Sequence, residues 1–172
     1  MRTEYLLQKE VERVLMLLTP SNRLAMRVSL HTGLRISDVL SIKTAQLASR
    51  FWVTESKTGK KKLVGLPRDL LEDLRRAAGK IFVFESRCNP QRHRSRQAVW
   101  RDVKRAAKAF RLPQNVGAHS ARKVYAVELL QKYGDLEKVR RALNHRYDST
   151  TLIYAMADAA LRAKARKKRG RA

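Results

Sequence analysis

Cysteine, acidic side chains and long apolar runs are scarce in this chain. Cys88 is its only cysteine, which excludes an intrachain disulfide framework and a cysteine-based zinc cluster and suits a reducing cytosol. No apolar run approaches the length of a membrane span, so we expect a soluble cytoplasmic protein. Because no repeat and no Pro- or Ser-rich linker interrupts the sequence, we expect residues 1–172 to form a single domain.

The shortage of acidic residues leaves a large positive charge. Lys and Arg number 39 against 15 Asp and Glu, a formal net charge of +24 and a pI near 11.2. Such a chain repels itself unless a polyanion is present, so nucleic acid is the expected partner. A hydrophobic content of 44% argues for a folded body with a basic surface. A ribosomal or nucleoid protein would share this composition.

Helical spacing of apolar residues dominates both ends of the sequence. We predict an amphipathic helix over 3–18 stopped by Pro20, then a helix capped by Ser21 or Asn22 and ended by Gly33, then a short third helix. Further predicted helices cover 69–78, 95–110, 120–133 and 135–143, and a last one begins near residue 149.

Two β-prone runs, FWVTESK and KKLVGLP, interrupt the helical pattern. Gly59 lies between them and can adopt a positive φ, which indicates a hairpin. A third β-prone run, IFVFE over 81–85, predicts one more strand. The expected fold class is α+β, mostly α-helical with a small three-stranded antiparallel sheet.

The polar residues limit the available chemistry. We find no paired Asp or Glu at a spacing that suggests a two-metal nuclease. Arg35 follows a turn, and Asp38, three residues on, could orient its guanidinium or could form an ordinary surface ion pair. His119 and Arg122 are three apart at the predicted start of a helix, where an anion is favoured, although a surface location is equally compatible with the pattern.

Basic residues concentrate in two further segments. Residues 87–111 hold nine Lys or Arg and one acid, Asp102, which indicates either a solvated helix face or phosphate contact. The tail over about 162–172 carries seven cations and no acid, and we expect it to be frayed unless DNA or another protomer orders it. The residues that we predict to contact DNA are Arg92, Arg94, Arg96, Arg101, Lys123 and Arg146.

Several of these motifs occur together in a meaningful order. The series TGLRISDVL, ESKTGKKK, HSAR and LNHRYDSTTLIY, within residues 24–154, resembles the catalytic domain of the tyrosine recombinases, or phage integrases. Each motif alone is weak, but their order and spacing make the resemblance specific. It implies six catalytic residues: Arg35, Lys57, His119, Arg122, His145 and Tyr154.

The resemblance also implies a role for each of them. Tyr154 would attack the scissile phosphate and become joined to the 3′ end, with His119 as its base. The two arginines would bind the non-bridging oxygens, Lys57 would protonate the leaving 5′ oxygen, and His145 would add a hydrogen bond to the phosphate. Because the phosphotyrosine conserves the bond energy, no metal or nucleotide cofactor is implied.

The sequence departs from the usual family pattern in a few places. Asn144 stands where glycine commonly precedes the histidine, and asparagine is the next most tolerant residue in a left-handed turn. Tyr147 is the one serious rival to Tyr154 as nucleophile, whereas Tyr125 is expected to lie in the core. We expect no N-terminal core-binding domain in this chain.

The family also predicts the partners. These are double-stranded DNA, further copies of the chain (a dimer to a tetramer on DNA) and accessory DNA-bending proteins. The expected activity is site-specific recombination or integration. A non-catalytic DNA-binding protein and strand relaxation of the type IB topoisomerase kind are the alternatives.

Overall fold

Helices surround one antiparallel hairpin in the computed structural model, which describes residues 6, 8–113 and 115–144. Within these residues the predicted α+β class, mostly helical, is confirmed, and no helix has the length and apolarity needed to cross a membrane. The elements in order are α1 Gln8–Leu17, α2 Pro20–Thr32, α3 Ile36–Leu40, a 3-10 turn Thr44–Gln46, β1 Arg50–Thr54, β2 Lys61–Gly65, α4 Arg68–Ala77, α5 Arg96–Ala109, α6 Ala118–Tyr133 and α7 Leu136–Ala142.

Helix α2 forms the middle of the core. It packs against α3, α4 and α6, and Ala25 and Val28 on it are completely buried. One continuous apolar cluster contains residues from each of the helices α1 through α6 and from the inner face of the hairpin. A smaller cluster around Val139 and Leu143 lies between α6 and α7. Arg35 follows the C-terminal end of α2 by three residues, in the turn between α2 and α3.

A buried carboxylate organises the start of α2. Asp102 Oδ2 accepts hydrogen bonds from Thr19 N and Oγ1, both at 2.9 Å, and from Asn22 Nδ2 at 2.7 Å. Burial raises the pKa of Asp102, but hydrogen bonds from Arg105, Asn22 and Thr19 outweigh it and lower the pKa to about 2. The predicted cap at Ser21 or Asn22 is wrong, since Pro20 already occupies the first turn of α2, where its missing N–H costs nothing.

The third predicted strand does not form. Residues 81–85 make only isolated bridges, Phe82 with Lys43 and Glu85 with His93, and the sheet within the described residues has two strands. Val83 and Phe84 are both buried, and a strand would send neighbouring side chains to opposite faces. The chain turns at these two residues, so that both side chains reach the core.

The predicted hairpin forms and brings polar residues inward. Val53 lies opposite Lys62 in the ladder. In β1 the buried positions alternate with exposed ones, and Glu55, the next position in that alternation, is completely buried. Val64 is the buried residue of β2 and Lys62, two positions earlier, is partly covered. A glutamate and a lysine thus occupy the inner face, where the strand pattern would ordinarily place apolar residues.

Two left-handed residues close the helices beside the site. Gly33 ends α2 with φ 67° and its N–H bonds to Ser29 O, as predicted. Asn144, just after α7, has φ 50°, which confirms the expectation that asparagine takes the left-handed conformation there. Gly33 also lies directly beneath Tyr125: a Cβ at residue 33 would come within 2.4 Å of the aromatic ring.

Gly33→Ala is therefore expected to cost more stability than Gly134→Ala. Both glycines have φ near 65°, so both substitutions incur the left-handed penalty of about 1–2 kcal/mol. Only residue 33 meets a ring, since nothing lies within 4 Å of a Cβ at Gly134, and overpacking adds about 1–3 kcal/mol. Urea unfolding of the two variants measures the difference, and equal losses would show that the Tyr125 ring moves aside freely.

Candidate active site

Arg35 stands at the entrance of α3, held by a buried carboxylate. Arg35 is the N-cap residue of α3 and has an extended backbone conformation. Its side chain therefore projects from the turn between Gly33 and α3. Its Nη1 donates to Glu55 Oε2 at 2.7 Å, with 15% of the Arg35 side chain exposed and none of Glu55. A guanidinium held from the protein side still presents donors outward, because it has five N–H groups.

Glu55 was not predicted as a site residue, yet it joins two parts of the site. Besides the bond from Arg35, its Oε2 accepts from Thr58 Oγ1 at 3.1 Å. Its backbone closes the hairpin turn: Glu55 N donates to Lys60 O at 2.9 Å, and Gly59 N donates to Glu55 O at 2.8 Å. The turn that carries Lys57 is consequently tied to Arg35 through a single buried residue.

Asp38 does not orient Arg35 in the predicted way. Its Oδ2 lies 4.0 Å from Arg35 Nη1, which is too far for a hydrogen bond, and the acceptor is Glu55 instead. Asp38 Oδ1 accepts from Ser56 N at 3.0 Å and from Ser56 Oγ at 2.6 Å. The short carboxylate of Asp38 therefore fastens α3 to the hairpin turn.

Arg122 is buried at the centre of the site. Its side chain is 5% exposed, and its Nη1 lies 3.9 Å from Glu55 Oε1. Nη1 donates to Gly33 O and Nη2 to Leu143 O, each at 2.5 Å. Both carbonyls belong to helix ends, which carry partial negative charge and lack helical donors. Arg122 thus connects the ends of α2 and α7 across the first turns of α6.

His119 lies at the rim of the site, where part of its surface is exposed to solvent. Helix α6 begins at Ala118, two residues earlier than predicted, so His119 belongs to its first turn. Partial burial lowers the pKa of His119, and so do the positive charges of Arg122, Arg35, Lys123 and Lys57. The lowered pKa favours a neutral imidazole, which can accept a proton.

Lys62 is a second residue that sequence reasoning missed. Its Nζ donates to Thr32 O at 2.6 Å and to Ala142 O at 2.5 Å, and lies 5.4 Å from the centre of the Tyr125 ring. Burial, and then the positive charge of Arg122, lower the pKa of Lys62 to about 8. Lys57, by contrast, is exposed in the hairpin turn. The hairpin therefore supplies one half-buried and one exposed ammonium to the same region.

The residues predicted to contact DNA differ in how far they are exposed to solvent. Arg92, Arg96 and Arg101 are exposed, and the first two line a cavity of about 410 Å³ beside α3. Arg94 is different, since its Nε donates to Asn22 Oδ1 at 2.6 Å, and this bond anchors the loop before α5 to α2. Arg94 therefore has a structural partner, while the other three keep their side chains toward solvent.

The remaining predicted residues lie outside the described part of the chain. These are His145, Arg146, Tyr147, Tyr154 and the basic tail. The last described residue is Asn144. The carbonyl of Leu143, just before it, accepts a hydrogen bond from Arg122. The geometry of the site is accordingly that of Arg35, Lys57, His119 and Arg122, together with Glu55, Asp38 and Lys62, which pack around them.

Comparison with known proteins identifies the family of this chain. A sequence model of the phage integrase family matches residues 4–160. The chain belongs to the phage integrase family. "Probable integrase/recombinase YoeC" of Bacillus subtilis is 31% identical over 131 residues, covering 73% of this chain and 71% of that protein. "Tyrosine recombinase" of Thermosipho africanus is 29% identical over 162 residues, 88% of this chain and 56% of that one. The chain spans about half the length of most curated relatives it matches.

Solved structures share the fold. The catalytic domain of bacteriophage HP1 integrase superposes with a TM-score of 0.69 at 18% identity, covering 91% of this chain and 89% of that one. A lambda integrase dimer bound to a COC′ core site gives a TM-score of 0.70 at 25% identity, over 90% of this chain and 48% of that one. Both the predicted fold and the resemblance to tyrosine recombinases are thereby confirmed.

Proposed function

We propose that this chain is the catalytic domain of a site-specific DNA recombinase that cuts and rejoins strands through a 3′-phosphotyrosyl bond to Tyr154. The observation that carries the proposal is that Arg35 and Arg122 both lie beside the buried carboxylate of Glu55. Lys57 follows Glu55 by two residues in the hairpin turn, and His119 lies one helical turn before Arg122 in α6. Family membership supplies the reaction class, and the described residues supply the charge that the reaction needs.

The reaction proceeds in two balanced steps. His119 accepts the phenolic proton while the Tyr154 oxygen bonds to phosphorus, and the 5′ oxygen leaves and takes a proton from Lys57. The new phosphotyrosyl ester conserves the energy of the broken bond. In the second step a 5′ hydroxyl attacks phosphorus, the phenolate leaves, and the two protons return. Strand exchange results when that hydroxyl belongs to a different strand.

The buried partners of the two arginines support this use of the site. The non-bridging oxygens gain negative charge as the fifth bond to phosphorus forms. Arg35 and Arg122 are already fixed by Glu55 and by backbone carbonyls, so they need little reorganisation when that charge develops. The lowered pKa of His119 suits it to accept a proton near neutral pH.

DNA is the proposed substrate, and further copies of the chain are the proposed partners. Structural relatives include XerH bound to a difH substrate and lambda integrase as a dimer on a core site and as a tetramer on a Holliday junction. The net charge of +24 fits the same partner. We expect the chain to act on double-stranded DNA as a dimer or tetramer, with accessory DNA-bending proteins.

A covalent adduct tests the proposal. The chain is incubated in EDTA with a duplex half-site that carries a nick near the cleavage position, so that the cut piece diffuses away, and products are separated on a denaturing gel. We expect a protein–DNA band that Tyr154→Phe abolishes and Tyr147→Phe retains. An adduct that survives Tyr154→Phe but disappears in Tyr147→Phe would identify the other tyrosine. No adduct at any site would favour a non-catalytic DNA-binding protein.

A further inference from the structure

Two cations, the buried Arg122 and the half-buried Lys62, hold the ends of the same two helices. Lys62 donates to the carbonyl oxygens of Thr32 and Ala142, which are the last residues of α2 and α7. Arg122 donates to the carbonyl of the residue that follows each of them. The two side chains therefore bind consecutive carbonyls at both helix ends, and we call these four hydrogen bonds the carbonyl clamp.

The strand pattern explains why Lys62 reaches this position. It lies opposite Val53 in the ladder and two residues before the buried Val64, so its side chain follows the inner face of β2, while Lys61 and Leu63 are exposed on the other face. The final carbonyls of a helix have no helical donor and carry partial negative charge, which an ammonium can satisfy. Lys62 consequently makes charge-assisted hydrogen bonds at a position of the hairpin where an apolar side chain would ordinarily pack.

The clamp connects the segments that carry the reacting groups. The α2 end leads within three residues to Arg35, and the hairpin that supplies Lys62 also supplies Lys57. Beyond the α7 end, the chain turns at Asn144, which has φ 50°. Removal of one cation would leave helix carbonyls without their donor at each of two joints, so the relative placement of all three segments depends on it.

We propose that Lys62 is a positioning residue for strand cleavage: its ammonium fixes the ends of α2 and α7 against the hairpin and so holds Arg35 in register with Lys57. This inference rests on the proposed function. Lys62 is distinguished from the proton donor by its bonds, since both go to backbone carbonyls, whereas Lys57 is exposed in the turn. Its pKa of about 8, lowered by burial, would suit a proton donor too, so the test must separate the two roles.

Hydrogen exchange measures the clamp without reference to activity. In Lys62→Met, amides at both helix ends, including Gly33 N and Leu143 N, which bond within α2 and α7, are expected to exchange roughly 10-fold faster because each end loses a tether. The matched control is Lys61→Met, an exposed neighbour on the same strand, which should leave both ends unchanged. Exchange in Lys62→Met identical to that of the parent chain would overturn the proposal, whether or not the chain cleaves DNA.

Cleavage kinetics then separate positioning from proton donation. At saturating nicked DNA, Lys62→Met is expected to form adduct about 100-fold more slowly with DNA affinity nearly unchanged, and Lys62→Arg should recover part of the rate. A 5′-bridging sulfur leaves without a proton, so it should rescue Lys57→Met but not Lys62→Met. Rescue of Lys62→Met by sulfur would make it the proton donor and overturn the inference. An inactive parent chain would instead contradict the proposed function, and the exchange result would still decide the clamp.

Discussion

Replacing Arg122 with alanine is expected to abolish detectable strand cleavage and to destabilise the fold at the same time. The guanidinium lies at the buried junction of α2, α6 and α7, next to Glu55. Loss of one donor to a developing oxyanion typically lowers the rate by ~10²–10³-fold. Removal of one partner from a buried ionic group costs about 3–5 kcal/mol of unfolding free energy. Adduct formation on the nicked half-site and urea unfolding measure the two effects.

Two further variants show which part of the arginine matters. Arg122→Lys keeps the charge but cannot bond two separated carbonyls with a planar fork, so it should recover part of the stability and little of the rate. Arg68→Ala removes an arginine that is 93% exposed and paired with Glu72 at 2.8 Å, and should change stability by less than about 1 kcal/mol. If Arg122→Ala were as stable and as active as Arg68→Ala, the assigned centre of the site would be wrong.

Glu55→Gln is expected to slow cleavage while DNA binding stays at least as tight. The amide retains an oxygen for Thr58 or Arg35 but loses the charge that balances Arg35 and Arg122. Losing a negative charge increases the electrostatic attraction of a cationic protein for DNA. A fall in the adduct rate at saturating DNA, by about 10-fold or more, would therefore report the altered placement of Arg35. Initial rates and filter binding measure the two quantities separately.

The stability of Glu55 variants provides the contrast. Glu55→Leu leaves the buried end of Arg35 without an acceptor and should lose about 3–5 kcal/mol, the usual cost of breaking a buried ion pair. Glu72→Gln, on an exposed carboxylate of α4, serves as the surface control. Weaker DNA binding by Glu55→Gln would count against the orienting role and indicate instead that the carboxylate supports the interface as a whole.

Local rules in the sequence were sufficient for much of the fold. Turn chemistry identified Gly33 as the end of α2, and the helices predicted over 95–110 and 135–143 begin within one residue of α5 and α7. These helix ends depend on residues close in sequence, where propensity and spacing carry the information. That Arg35, His119 and Arg122 share one site was implied by the resemblance to tyrosine recombinases, because no local rule connects residues so distant in sequence.

The errors arose where tertiary contacts decided the outcome. The run over 81–85 has strand composition, but both Val83 and Phe84 turn into the core, and no local pattern specifies that. Glu55 and Lys62 could have been found by extending the in-and-out alternation of the hairpin beyond its apolar residues. They were missed because a charged residue at a hairpin end is ordinarily solvated, whereas here each has a partner that is distant in sequence, Arg35 for one and Ala142 for the other.

The buried position of Asp102 has a consequence for the outside of the molecule. It is the one acid among nine Lys or Arg in residues 87–111, and its carboxylate is turned inward to Thr19 and Asn22. Arg105 pairs with the other oxygen of this carboxylate, so the remaining cations on the outer side of the segment have no carboxylate within the segment to offset them. When such a surface binds a polyanion, counterions condensed on the polyanion are released. The binding affinity would therefore fall steeply as ionic strength rises.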